Sequence, residues 1–222
     1  RQLVKVYLQK KKFISALLHL KKLTTTNAND INAHISMGKI YNKLGNFKLA
    51  IDVVNPIISS NPDNIQAREI LAEIFYNTGD LDRSIAEYRR ILEKNSNYLP
   101  SYIQLGWIYY RKGEFQMATA WTKRGLKLGT PSPQLDSLSS MNLGLYSWLN
   151  NDYVAAKKWY RKVLQGGSKN ILNGILKDLK DTALLFPKKI AVDFFSGWIY
   201  METGEKKMAF PYLTQFLNLA TE

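Results

Sequence analysis

The chain has 222 residues, of which 45% are apolar, 22% charged and 12% aromatic, and its formal net charge is +13. Such a composition is typical of a folded protein and is too apolar for a disordered chain. Because cysteine is absent, disulfides and thiolate metal sites are excluded. No apolar run approaches the ~20 residues of a membrane span, so we expect no membrane insertion by this fragment.

The positive charge is spread along the chain and is not concentrated in a tail. Residues 1–111 contain 16 Lys and Arg against 9 Asp and Glu, and residues 112–222 contain 15 against 9. The densest run, Lys10 to Lys12, is typical of a solvated turn between helices, and a phosphate-binding role is the alternative. We therefore interpret the charge as a background property of the whole surface.

The first segment, residues 1–30, carries Tyr7, Phe13, Ala16 and Leu23 at spacings that fit a helical pair whose first position would precede Arg1. The chain is thus expected to start inside a helix and to be part of a longer protein. Any signal peptide, membrane anchor or partner domain upstream would lie outside this sequence. A cytoplasmic or a membrane-tethered location is compatible with this pattern.

Three stretches of 34 residues follow without a gap, beginning at Ile31, Ile65 and Leu99. Each has a small residue at position 8, an aromatic residue at 11, glycine at 15, and alanine or serine at 20. These residues are, in order of position, Gly38, Ala72 and Gly106; Tyr41, Phe75 and Tyr109; Gly45, Gly79 and Gly113; and Ala50, Ser84 and Ala118. Self-similarity at a fixed period of this length predicts a helical repeat array.

The repeat pattern continues less regularly toward the end of the chain. It resumes at Ser137, with Gly144 and Asn151 at positions 8 and 15, and again at Ile190, with Gly197 at position 8. Between them, residues 171–189 carry Leu172, Ile175, Leu176, Leu179 and Ala183 at helical spacing, which predicts one extra amphipathic helix. Its apolar stripe has two available places: against a neighbouring repeat as a spacer, or in a groove that it would gate.

The 34-residue pattern resembles the tetratricopeptide repeat (TPR), a helix-turn-helix unit in which small residues let paired helices approach. The resemblance implies an all-α, right-handed superhelical solenoid of antiparallel helix pairs, about six repeats long, with one inserted helix. A single solenoid over residues 1–222 is expected. Its predicted parts are a truncated repeat at 1–30, repeats at 31–64, 65–98, 99–132 and 137–170, the inserted helix at 171–189 and a last repeat at 190–222.

No residue of the sequence is nominated for catalysis, for a cofactor or for a metal. His19 and His34 have no Cys, Asp or Glu neighbours at metal-ligand spacing, and the sequence has neither a phosphate-binding loop nor a nucleophile elbow. Glu69 and Glu73 share a helix face, but such a pair is more often solvated than catalytic. We therefore expect a protein that is not an enzyme.

In TPR arrays the concave wall is formed by the first helix of each pair, with positions 2, 5, 9, 12 and 13 facing the groove. In the N-terminal half these positions are polar and predict a polar groove of Lys5, Lys39, Asn42, Lys43, Glu69 and Glu73. In the C-terminal half they are mostly apolar and predict a partner-binding groove of Trp107, Tyr110, Arg111, Met141, Leu145, Trp148, Phe194, Trp198 and Met201. Aromatic residues, Met and Arg dominate interface hot spots. Coverage of these rings by the inserted helix, or by tight superhelical closure, is the alternative.

The resemblance implies a scaffold or adaptor that binds a protein segment or helix in its groove and supports a larger assembly, such as a secretion, pilus or flagellar apparatus. Lys, Asn and Ile usage favours an AT-rich genome and a bacterial source. Recognition of chaperone C-terminal tails is disfavoured, because Ile35, Ile70 and Pro100 stand where the TPR clamp has Lys or Asn. An RNA-binding helical-repeat protein is the alternative, and the 34-residue period disfavours nucleic acid as a partner.

Overall fold

The protein is described here by a computed structural model that covers Val4, Tyr7 and residues 10–129, 133–165, 169–186 and 192–220. Within these residues all regular secondary structure is helical. The twelve helices are α1 (Phe13–Thr26), α2 (Ile31–Lys43), α3 (Phe47–Ser60), α4 (Ile65–Asn77), α5 (Leu81–Lys94), α6 (Leu99–Arg111), α7 (Phe115–Lys127), α8 (Pro133–Leu149), α9 (Tyr153–Leu164), α10 (Lys169–Leu185), α11 (Val192–Glu202) and α12 (Lys206–Ala220).

The helices fall into two compact units. Unit 1 comprises residues 1–108 and unit 2 comprises residues 109–222, so that α6 ends the first unit and begins the second. In unit 1, each helix from α1 to α4 packs on the next, and α2 also packs on α4. In unit 2, the closest pairs are α8 with α9 and α11 with α12, while α10 contacts α8, α9 and α11. Both units are therefore stacks of helix pairs.

Glycines at repeat position 8 set the close approach within the pairs. A Cβ atom at Gly38 would lie 2.7 Å from the side chain of Val54, and one at Gly144 would lie 2.7–2.9 Å from the ring carbons of Tyr160. Both large partners stand at repeat position 24, on the second helix of the same pair. A side chain at either glycine would separate the two helices, because packed interiors have little free volume.

The turn inside each pair needs a residue in the left-handed region. Gly79 has a φ of 85° and ends α4, as expected for a helix C-terminus. At the equivalent position in other pairs the chain has Asn151, with a φ of 64°, and Lys11, with a φ of 53°. Asparagine tolerates this conformation, whereas lysine is strained in it.

Candidate partner-binding surfaces

The first-helix positions of unit 1 form a polar wall, which we define as Lys39, Asn42, Lys43, Glu69 and Glu73. A chain of hydrogen bonds crosses from α2 to α4 on this wall. The side-chain amide of Asn42 donates to Glu73 Oε2 at 3.1 Å, and Asn77 donates to Asn42 Oδ1 at 3.0 Å. Asn42 is buried, so it holds the neighbouring carboxylate in place and offers little surface of its own.

The two carboxylates of the polar wall lie one turn apart on α4. The pKa of Glu73 is raised, first because neighbouring atoms exclude water from it and second because the charge of Glu69 is near; Lys39 and the bond from Asn42 oppose the rise. The Glu73 residue is nevertheless exposed to solvent, so one edge of this crowded carboxyl group faces water. Glu69 accepts a hydrogen bond from Tyr98 Oη at 2.8 Å. A negative charge that its surroundings only partly compensate is thus held at an accessible surface.

The lysines of the polar wall differ in their surroundings. Lys39 is exposed, whereas the ammonium group of Lys43 lies 5.2 Å from the ring centroid of Phe13 on α1. A cation over an aromatic ring is attracted to its face, so Lys43 contributes to packing between α1 and α2. Lys5, the remaining residue predicted for the polar groove, lies outside the described residues.

The first-helix positions of unit 2 form an apolar wall, which we define as Tyr110, Met141, Leu145, Trp148, Phe194 and Trp198. Three of its members are interior residues: Tyr110 is 3% exposed, and Leu145 and Trp148 are 1% exposed. The prediction of an open binding wall is therefore wrong at these three positions. The physical reason is that neighbouring helices cover them, which a helical face read from sequence does not reveal.

Helix α10 lies against the apolar wall. Its Thr182 hydroxyl is 2.8 Å from Tyr110 Oη, and the ring of Phe186, one residue beyond the helix, meets Tyr110 edge-on with centroids 5.8 Å apart. At the other end of the contact, a Cβ atom at Gly174 would lie 3.1 Å from Met141 Cε. Because Tyr110 and Met141 occupy groove positions of two successive first helices, α10 runs along the face that the repeat presents to a partner.

Helix α11, the first helix of the last helix pair, completes the apolar wall with aromatic rings that cationic side chains cover. Trp148 packs on Phe195, with centroids 5.9 Å apart. The guanidinium of Arg161 lies 5.5 Å from the Trp198 centroid and also forms a two-bond ion pair with Glu202, with N···O distances of 2.6 and 3.0 Å. Trp198 is half-buried as a result.

The other predicted groove residues have intermediate or open positions. Phe194 is half-buried under Lys157, whose ammonium group is 5.3 Å from its centroid. Met201 is exposed, and so is Arg111 at the end of α6. Trp107 is half-buried and belongs to unit 1. The side chains predicted for one groove are therefore divided between an interior set and an accessible set.

The repeat geometry agrees with what the comparisons with known proteins show. Two family models described as tetratricopeptide repeat match residues 36–100 and 99–128. The chain carries tetratricopeptide repeats. These repeats and the fold support a protein-interaction scaffold, because arrays of this kind present extended concave binding surfaces.

Several solved structures share this fold at low sequence identity. PilF of Pseudomonas aeruginosa is 17% identical with a TM-score of 0.66, over 93% of this chain and 94% of that chain. A tetratricopeptide repeat protein of Parabacteroides merdae is 14% identical with a TM-score of 0.65, over 98% and 90%. The human IFIT1 dimer, solved with PPP-AAAA, is 13% identical with a TM-score of 0.70, over 99% of this chain and 54% of that one. A search of curated proteins finds no significant match.

Two further observations concern the described part of this TPR chain. No group of three or more His, Asp or Glu side chains there is arranged to hold a metal ion. None of its helices combines the length and the apolar content of a membrane span.

Several residues that shape these surfaces escaped the sequence analysis. Thr182 and Phe186 cover Tyr110, and Lys157 and Arg161 cover the rings of α11. Two signals pointed to α10 as a packed helix with a fixed register: a glycine in the middle of its pattern, at Gly174, and a threonine that continues its apolar stripe. The cations of α9 left no comparable signal, since lysine and arginine on a second helix are usually solvated.

Proposed function

We propose that this TPR chain is a non-catalytic scaffold that binds an external protein segment along the polar wall of unit 1 and thereby supports assembly of a larger complex. The supporting observation is the carboxylate pair of α4, in which Glu73 has a raised pKa and an exposed edge beside Glu69. A partner segment that places a Lys or Arg there would relieve the repulsion between the two charges.

The surroundings of the pair favour a protein partner of mixed charge. Lys39 stands on α2 at the repeat position that Glu73 occupies on α4, so a positive side chain on one first helix is followed by a negative one on the next. A segment with an acidic residue followed by a basic one matches this alternation. A nucleic-acid backbone, which is uniformly negative, would meet repulsion at Glu69 and Glu73.

The test compares the wild-type chain with a Glu69→Gln, Glu73→Gln double variant, which keeps side-chain volume and removes both charges. Glu93→Gln is the matched control, because Glu93 is an exposed carboxylate on the second helix α5. Each protein is used to recover partners from an extract of the source organism. We expect at least one protein to be retained by the wild type and by the control and to be lost from the double variant. Equal recovery by all three would refute the polar wall as the binding surface.

A nuclease and salt series separates the protein partner from RNA. Binding to RNA should fall steeply with added salt, because it releases counterions from phosphates, and should disappear after nuclease treatment. The proposed partner should survive the nuclease. Recovery that depends on intact RNA would overturn the proposal in favour of an RNA-binding repeat protein.

A further inference from the structure

We infer that the apolar wall of unit 2 is a binding site for an amphipathic helix, that α10 is its resident occupant, and that a partner helix with the same apolar stripe displaces α10. The inference rests on contacts within unit 2 alone. It goes beyond the scaffold function proposed for the polar wall, and either proposal can fail without the other.

The helix pairs of unit 2 are complete without α10. Gly144 meets Tyr160 in the pair α8–α9, and Gly197 meets Leu213 in the pair α11–α12, where a Cβ atom would lie 2.7 Å from the leucine side chain. These are the contacts that close a repeat. Helix α10 stands outside the 34-residue period and makes none of these contacts, so it is an addition to the repeats and takes no part in their pairing.

The face that α10 buries is that of a helix bound in a groove. Leu172, Ile175, Leu179 and Thr182 are buried and follow one another at spacings of three or four residues, whereas Asn173 and Lys180 on the other side are exposed. Anchors at this spacing are typical of helix-in-groove recognition. The surface beneath them includes Tyr110 and Met141 at first-helix positions, which in repeat arrays are the ones that contact partners, together with residues of the second helix α9.

The contact of α10 with its neighbours contains two features that limit its affinity. Gly174, whose small size permits the close approach to Met141, is a weak helix former in the helix interior. The Asp178 carboxyl lies in the same contact near Tyr160, whose hydroxyl is fully buried and has no hydrogen-bond partner among the described residues. A helix that has an apolar residue in place of Asp178 would therefore compete effectively, because it buries no carboxylate.

The displacement test uses the full chain and a fluorescent peptide of residues 169–186 as the probe. Leu179→Glu in the chain places a charge in the buried stripe and should release α10 from the wall. Asn173→Glu makes the same change of charge on the exposed face of α10. We expect the Leu179→Glu chain to bind the peptide at least about tenfold more tightly than the wild type or the Asn173→Glu chain does, because the resident helix no longer competes. A peptide that itself carries Leu179→Glu should not bind.

Equal peptide affinity for the three chains would overturn the inference. The Glu69→Gln, Glu73→Gln chain should bind the peptide as the wild type does; a defect in this chain would show that the peptide does not bind at unit 2 alone and would overturn the inference. If the Leu179→Glu chain forms a dimer and the peptide dissociates that dimer, the occupant of the wall is a second copy of this chain. That result would overturn the inference of a separate partner helix.

If circular dichroism shows that the Leu179→Glu chain does not fold, hydrogen exchange on the wild-type chain provides a second test. A displaceable α10 opens without the unfolding of its neighbours, so its amides should exchange at least about tenfold faster than those of α8 and α9. Amides of α10 as protected as those of α8 and α9 would show that it is integral to unit 2, and the inference would fail.

Discussion

Replacing Asp178 by asparagine should stabilise unit 2 at neutral pH, because this carboxyl group is charged in a partly dry environment. Burial raises its pKa from an ordinary 3.8 to about 6, and the charge of Asp181 adds to the rise while Lys177 opposes it. At about 1.4 kcal/mol for each pKa unit the rise corresponds to at most about 3 kcal/mol. Since part of the group still contacts water, which screens its charge, we expect about 1–2 kcal/mol.

The sign of the pH dependence follows from the raised pKa. The folded state holds its proton more firmly than the unfolded state does, so the contribution of Asp178 to stability is most favourable below about pH 4 and is lost as the pH rises through about 6. The asparagine side chain of the variant does not titrate. The advantage of the Asp178→Asn variant over the wild type should therefore be small at pH 4 and reach about 1–2 kcal/mol at pH 7.5.

The assay is urea unfolding of both proteins at these two pH values, because the difference between them cancels the titration of all other groups. Asp181→Asn is the control. Asp181 is exposed and forms an ion pair with Lys177 at 2.7 Å, so its loss should change stability by less than about 1 kcal/mol. The reasoning is refuted if Asp178→Asn gives no stabilisation at pH 7.5, or if its advantage is the same at both pH values.

Three further substitutions test the packing of the repeats by urea unfolding. Gly144→Ala should destabilise the chain by about 1–3 kcal/mol, because its Cβ would meet the buried ring of Tyr160; an unchanged midpoint would show that α8 and α9 can separate freely. Lys11→Gly should stabilise it by about 0.5–1 kcal/mol by removing a side chain from a left-handed backbone, and a loss would contradict that conformation. Arg68→Met should cost about 2 kcal/mol, since it removes an ion-pair partner of the buried carboxylate of Glu87; a neutral result would mean that Glu87 reaches water.

The repeat itself could be predicted from sequence because its constraints are local and recur at a fixed period. Gly38 and Gly144 are small for the same reason, the nearness of a large residue at position 24 of the same pair. The left-handed turn after the first helix was equally visible at Gly79. Where the pattern had asparagine in place of glycine, at Asn151, the backbone adopts the same conformation.

The position of α10 could not be predicted, because an apolar stripe shows that a helix is covered without showing by what. Residues 171–189 were expected to form the inserted helix, and the structure has it at Lys169–Leu185. The sequence could not decide between a place against a neighbouring repeat and a place in the groove, because the two differ only in tertiary contacts. The bond between Thr182 and Tyr110 joins residues 72 positions apart, and no periodic pattern carries that information.

The aromatic residues at the first-helix positions of unit 2 had a second interpretation for the same reason. A ring such as Trp148 on the groove side of a repeat indicates that something apolar belongs against it, which is equally true of a partner and of a segment of the same chain. The structure places Phe195 there, and α10 covers Tyr110 in the same way. A wall already filled within its own chain still has the shape and chemistry of a binding site. Its affinity for an external helix then depends on how weakly the resident helix is held, and the partly buried carboxyl group of Asp178 in the contact of α10 limits that strength.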